Sequence, residues 1–174
     1  MTLRSRRQAP AARPPLPSAV TAVAAVLVVG AAFLPWYAPD IAPPLAADSV
    51  SGWNATFAAK LMVLGAVVAA IAAGVLLLDS AQRMTLDRTG VRALAIVCAM
   101  GMALATVMAV YRTLRLPEPA DLLSRQIGVY AAFAASAIGV GAALVQLMFA
   151  LSETGPRRRS SPRRVSPVRG PRGR

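Results

Sequence analysis

Four apolar runs dominate the chain, at residues 18–37, 56–78, 93–111 and 127–151, each bounded by polar or Pro-rich stretches. A transmembrane helix needs about 20 such residues to cross roughly 30 Å of hydrocarbon, and each run meets that length. None alternates apolar with polar residues at period two, which excludes a transmembrane β-barrel. The pattern predicts an all-α membrane protein, a four-transmembrane-helix bundle over residues 18–151. Residues 1–17 are basic, Pro-rich and aperiodic, and residues 152–174 hold no aliphatic side chain beyond two valines. Neither end can bury enough apolar surface to offset its chain entropy, so both are expected to be disordered. The first run resembles a signal peptide in its basic flank. It leads into Leu34-Pro35-Trp36-Tyr37 without a small-x-small cleavage site, which predicts a retained span.

Composition sharpens this picture by what it removes. Apolar residues make up 56% and charged residues only 15% of the 174 residues. Mean hydropathy is +0.56. A lone cysteine, Cys98, and the lack of any histidine exclude an intrachain disulfide, His-based acid/base catalysis, and His or CxxC metal sites. No run carries an acidic residue, which argues against a carrier built on an intramembrane carboxylate. No enzymatic activity, cofactor or metal is expected.

The net charge of +12 sits almost wholly at the ends and in the connections, where it sets orientation. Arg4, Arg6, Arg7 and Arg13 precede the first run. Arg83, Arg88 and Arg92 lie in the second connection, and Arg112, Arg115 and Arg125 in the third. The tail adds Arg157, Arg158, Arg159, Arg163, Arg164, Arg169, Arg172 and Arg174. Placing both termini in the cytoplasm puts 15 arginines inside against three outside. The aromatic residues Trp36, Tyr37, Trp53, Tyr111 and Tyr130 then all fall on the outer side, where amphipathic rings favour the interface.

Between helices in lipid, small residues must let backbones approach. Gly65, Ala69 and Ala73, then Gly101, Ala105 and Ala109, then Ala131, Ala135, Gly139 and Ala143 recur at four-residue spacing as contact ridges. The first run has only Gly30, so it is expected to face lipid more. Thr106, Ser136 and Gln146 read as interhelical hydrogen-bond partners, and Cys98 as a small core residue. Phe57-Ala58-Ala59 precedes Gly65-Ala66 as Phe133-Ala134-Ala135 precedes Gly141-Ala142, which fits either a duplicated hairpin or coincidence in Ala-rich helices.

Lys60 is the only ionisable residue inside a run, and its stem is long enough to snorkel to the outer headgroups. Pairing with Asp48 is the other reading. In the first outer loop, Trp36, Tyr37 and Trp53 flank a Pro-rich turn. They form either an aromatic belt or a cap over the bundle, and with Lys60, Arg112, Arg115 and Arg125 they could hold an anionic headgroup or envelope precursor. Asn54-Ala55-Thr56 is formally a glycosylation sequon but lies too close to the second run to be used. In the tail, Arg157, Arg158, Arg159, Arg163 and Arg164 stand beside Ser160 and Ser161. They read as a topology signal or as a tether to anionic lipid or an acidic cytoplasmic partner. Nucleic acid ranks below these, because no aromatic residue interleaves the arginines.

Leu34-Pro35-Trp36-Tyr37, Ser49-Val50-Ser51-Gly52-Trp53, Tyr111-Arg112 with Pro117, and Gly128-Val129-Tyr130 together resemble small four-pass integral membrane proteins of actinobacteria. The resemblance spans roughly residues 20–150 and implies architecture and envelope location, not an activity. The resulting expectation is a multi-pass plasma-membrane protein, a structural or accessory envelope component in contact with other membrane proteins. The alternative is a subunit of a small oligomeric transporter or channel.

Overall fold

The computed structural model describes residues 15–39, 49–81, 83–116 and 123–152. In chain order the elements are α1 (Leu16–Ala31), β1 (Pro35–Pro39), β2 (Val50–Ser51), α2 (Gly52–Ala55), α3 (Phe57–Ser80), α4 (Arg88–Leu114), β3 (Leu123–Arg125) and α5 (Ile127–Ser152). The expectations for the arm before residue 15, the tail after residue 152 and Asp48 lie outside the described residues.

Three of the four expected spans appear with close boundaries, and α3, α4 and α5 are each long and apolar enough to cross a membrane. The fourth differs. α1 begins at Leu16, because prolines in a first turn lack only N–H groups that have no helical partner there. It ends at Ala31 instead of reaching residue 37. Pro35 disfavours the helical conformation at Leu34, and the last turn tightens through Phe33 N–H to Gly30 O at 3.1 Å and Leu34 N–H to Ala31 O at 3.2 Å. At 16 residues α1 is about 24 Å long, shorter than the hydrocarbon alone. Trp36 and Tyr37 therefore belong to a strand, not to a span.

Caps fix the other helix ends. Thr56 Oγ1 accepts from Ala59 N–H at 3.3 Å and opens α3, which commits the third residue of the sequon to a buried structural bond. Asp87 Oδ1 accepts from Gly90 N–H at 2.8 Å and opens α4. Asp79 Oδ1 accepts from Leu86 N–H at 2.8 Å, tying the α3–α4 turn.

The helices form a ring in which α1 and α4 lie on opposite corners, each packed against α3 and α5. The interior is small and the exterior large, the reverse of a water-soluble bundle. Ala25, Ala59, Ala66, Ala69, Ala73, Ala95, Ala105, Ala109, Ala132 and Ala143 are buried, while Leu27, Ile71, Met100, Val107, Ile138 and Met148 are exposed. Such a surface suits lipid, which is as apolar as the side chains facing it. The closest approach is between α3 and α4. A Cβ on Gly65 would lie 2.6 Å from Gly101 O, and one on Gly101 would lie 2.6 Å from Gly65 O. On α5, Gly139 stands against Met102 and Ala24, whereas Ala131 is only partly buried.

Several packing expectations need correction. α1 does not face lipid more than its neighbours: six of its 16 residues are buried, against nine of 24 in α3. Its ridge runs through Thr21, Ala24, Ala25 and Val28, a pattern that a search for glycine overlooks. Thr106 and Ser136 do not bridge helices. Their hydroxyls donate to Met102 O and Phe133 O of their own helices at 2.9 Å each. Gln146 Oε1 is buried without a partner. Buried Cys98 is indeed a core residue, and its Sγ reaches Ala69 O on α3 at 3.5 Å. Gly141, the counterpart of Gly65 in the internal echo, meets nothing within 4 Å, so the repeated spacing is not repeated packing.

Candidate functional site at the capped end

The end of the bundle opposite residues 15–18 and 149–152 is closed by a small antiparallel sheet in the order β2-β1-β3. An all-α reading has no place for it. β1 is the central strand, pairing Pro35 with Ser51 and Tyr37 with Val50 on one side, and Tyr37 with Arg125 and Ala38 with Ser124 on the other. The register breaks between Pro35 and Tyr37. In a regular strand consecutive side chains point to opposite faces. The irregularity at Trp36 relaxes that alternation, and Trp36 and Tyr37 are both buried in sequence.

Trp36 is the keystone of this end. It is fully buried, and its Nε1–H donates to Ala31 O at 2.8 Å, satisfying a carbonyl freed by the early end of α1. Its own carbonyl accepts from Gln126 N–H at 2.8 Å. Gly52 and Gly128 press their backbones on the indole so closely that a Cβ on either would overlap the ring. Tyr37 packs edge-on to Trp36, with centroids 6.3 Å apart and planes at 74°. Its side chain is buried, and the phenol oxygen has no hydrogen-bond partner.

The seven candidate residues do not form one site. Trp36, Tyr37, Arg112 and Arg125 gather at the cap, with the two rings buried, Arg112 partly buried and Arg125 exposed. Arg125 lies directly across β1 from Tyr37 and reaches Leu114 O at 3.4 Å through Nη2. Arg112 stacks against the Tyr111 ring at 5.5 Å, and its Nε is buried without a partner. Burial pushes the Tyr37 phenol above its ordinary pKa, and the positive charges of Arg112 and Arg125 pull against that rise. Two buried donors, Tyr37 Oη and Arg112 Nε, thus lack an acceptor beside a second guanidinium.

Trp53 and Lys60 make a separate cluster. The half-exposed Trp53 ring stacks on Phe33 at 5.8 Å and 24°, and Lys60 Nζ sits 5.8 Å from the Trp53 centroid. Lys60 is exposed in the first turn of α3, where a snorkelling lysine belongs. Tyr111 and Tyr130 are also exposed at this end, so the interfacial belt comprises Phe33, Trp53, Tyr111 and Tyr130 without Trp36 or Tyr37. Arg115 joins neither group; it is the exposed C-cap of α4. Sequence reasoning missed Phe33, Gly52 and Gly128, whose roles appear only when the sheet brings them onto the tryptophans.

No protein-family model, curated protein or solved structure matches the chain. The chemistry of this end therefore rests on its own geometry.

Proposed function

We propose that the protein is a four-span plasma-membrane protein with both termini in the cytoplasm, a non-enzymatic accessory or structural component of the envelope. In this reading its capped outer face holds one anionic group, the phosphate or carboxylate of a headgroup. The observation that carries it is the pair of buried, unpartnered donors, Tyr37 Oη and Arg112 Nε, beside Arg125. An unmade buried hydrogen bond costs about 1–3 kcal/mol, and an anion would supply both acceptors. Lys60 and Trp53 stand at the headgroup level as membrane anchors.

Lipid carried through purification tests the headgroup site. The wild type should retain anionic phospholipid after extended detergent washing, and Arg112→Gln with Arg125→Gln should release it. Equal retention by both would overturn the site. Transport by a single chain is disfavoured because Met102 of α4 and Ala24 of α1, from opposite corners of the ring, both lie against Gly139 of α5 and fill its middle. An oligomeric transporter or channel subunit is the second reading, and it requires a defined homo-oligomer in mild detergent.

Sidedness has its own test. A reporter active only in the cytoplasm should work when fused after Arg174 and fail when inserted at Ala46. Activity at Ala46 would reverse the orientation. The tail is proposed to tether to anionic lipid or an acidic cytoplasmic partner, each arginine near an anionic surface contributing up to about 1 kcal/mol. A peptide of residues 155–174 should bind anionic vesicles at low salt, release at high salt, and ignore neutral vesicles. Equal, salt-independent binding to both vesicle types would leave the arginines as a topology signal alone.

A further inference from the structure

At the opposite end of the bundle, where α1 starts and α5 ends, all four long elements of the ring leave a partly enclosed cavity of about 110 Å³. Its walls are apolar: Leu76 from α3, Val91 and Ala95 from α4, and Phe149 from α5. An enclosed apolar cavity of about 150 Å³ accepts benzene, so a ring seated in this smaller one keeps part of itself in the open mouth. Two polar side chains stand among these walls, Ser18 from α1 and Gln146 from α5. Gln146 is 9% exposed, lines the cavity, and its Oε1 has no hydrogen-bond partner. The residue lies six positions, about 9 Å, inside Ser152 at the rim. Its terminal amide turns about a soft sp³–sp² torsion, so the oxygen can swing into the space beside it.

The rim restricts what can enter. The Ser80 and Ser152 hydroxyls donate to Leu77 O and Phe149 O at 2.8 and 3.0 Å, so toward the cavity they offer lone pairs. Asp79, whose Oδ1 already accepts from Leu86 N–H, adds a carboxylate. Acceptors over apolar walls reject an anion. Arg83, Arg88 and Arg92 crowd the same end, and Arg92 Nε reaches Ala150 O at 3.4 Å, so a cation meets like charge before it arrives. What satisfies all of these is an uncharged molecule with an apolar body and a single hydrogen-bond donor.

We infer that this cavity is a binding site for a small neutral amphiphile of the phenol or indole class, its ring against Leu76, Val91, Ala95 and Phe149 and its donor on Gln146 Oε1. The site is independent of the headgroup reading and of which side of the membrane this end faces. Water alone would satisfy Gln146 but leave the apolar walls uncovered, and the assay separates the two occupants.

The full chain in detergent is titrated with 4-methylphenol and with 1,4-dimethylbenzene, which share a shape and differ by one donor. Binding is read by thermal shift and by saturation-transfer NMR. Wild type should prefer the phenol by about tenfold, the worth of one hydrogen bond. Gln146→Leu removes the amide at similar volume and should erase the preference while keeping dimethylbenzene binding. Ala95→Phe fills the cavity and should abolish both. Should that variant misfold, Gln146→Leu alone decides. Equal affinity of wild type for the two probes, a phenol preference that survives Gln146→Leu, or no binding of either probe overturns the site.

Discussion

Leucine at position 65 is expected to break the bundle. A Cβ there falls 2.6 Å from the Gly101 carbonyl oxygen, and the obstacle is backbone, which has no rotamer to yield. Overpacking a core typically costs 1–3 kcal/mol, and an obstacle that is main chain places Gly65→Leu at roughly the top of that range or beyond. The partner substitution, Gly101→Leu, meets the Gly65 carbonyl at the same distance and should behave alike. Gly74→Leu and Gly141→Leu provide the contrast, since nothing lies within 4 Å of either position. Leucine is the better helix former by close to 1 kcal/mol, so these two should be neutral or slightly stabilising. Thermal unfolding in one detergent, followed by helical circular dichroism, gives all four values. A Gly65→Leu protein that melts with Gly74→Leu would refute the close α3–α4 contact.

The second large effect lies in the cap. In the proposed four-span arrangement the cap faces water, where the hydrophobic effect acts in full, whereas within lipid burying an apolar side chain gains little. Trp36→Ala should cost about 3–5 kcal/mol, as for other buried large aromatics, and it also removes the shorter of the two hydrogen bonds that the Ala31 carbonyl accepts. Trp53→Ala should cost far less, because its ring is half-exposed against Phe33 and Lys60. The comparison is pointed because sequence alone treats the two tryptophans as a pair. Equal losses for both variants would contradict the division of the capped end into two clusters.

How much of this was legible follows from the length over which each signal is averaged. The spans ending in α3, α4 and α5 emerge because some twenty apolar residues in a row admit one reading in a membrane protein. The polar first turn of α4, from Arg88 to Arg92, escapes a hydropathy scan although it is helical, and only the Asp87 cap marks it. The sheet escapes for a different reason. Its strands have five, two and three residues, too few for a period, and its pairs join parts of the chain that lie far apart. The small-residue ridges located Gly65, Gly101 and Gly139 correctly, because the need for close approach acts at a fixed four-residue spacing. The same rule misjudged α1, where threonine, alanine and valine make a sufficient surface without glycine. Of the candidate site, composition supplied the right residue types, but proximity was beyond it. Tyr37 meets Arg125 through strand register, and that depends on the loop between α4 and α5 returning to the same end.

That return has a consequence for how the chain is made. The middle strand of the cap follows the first helix out of the ribosome, yet one of its two neighbours is synthesised only just before the last helix. Until then the indole of Trp36 lacks Gly128 on one side and the Gln126 amide that its carbonyl accepts. The first helix, short for a bilayer, also waits for α5, against which it packs. The α3–α4 hairpin, with its Asp79–Leu86 tie, is complete earlier and needs neither. Closure of the cap therefore waits on synthesis of β3 and the start of α5. A nascent chain in which α5 does not reach its place is left with an open sheet edge along β1 and a tryptophan bare on one side.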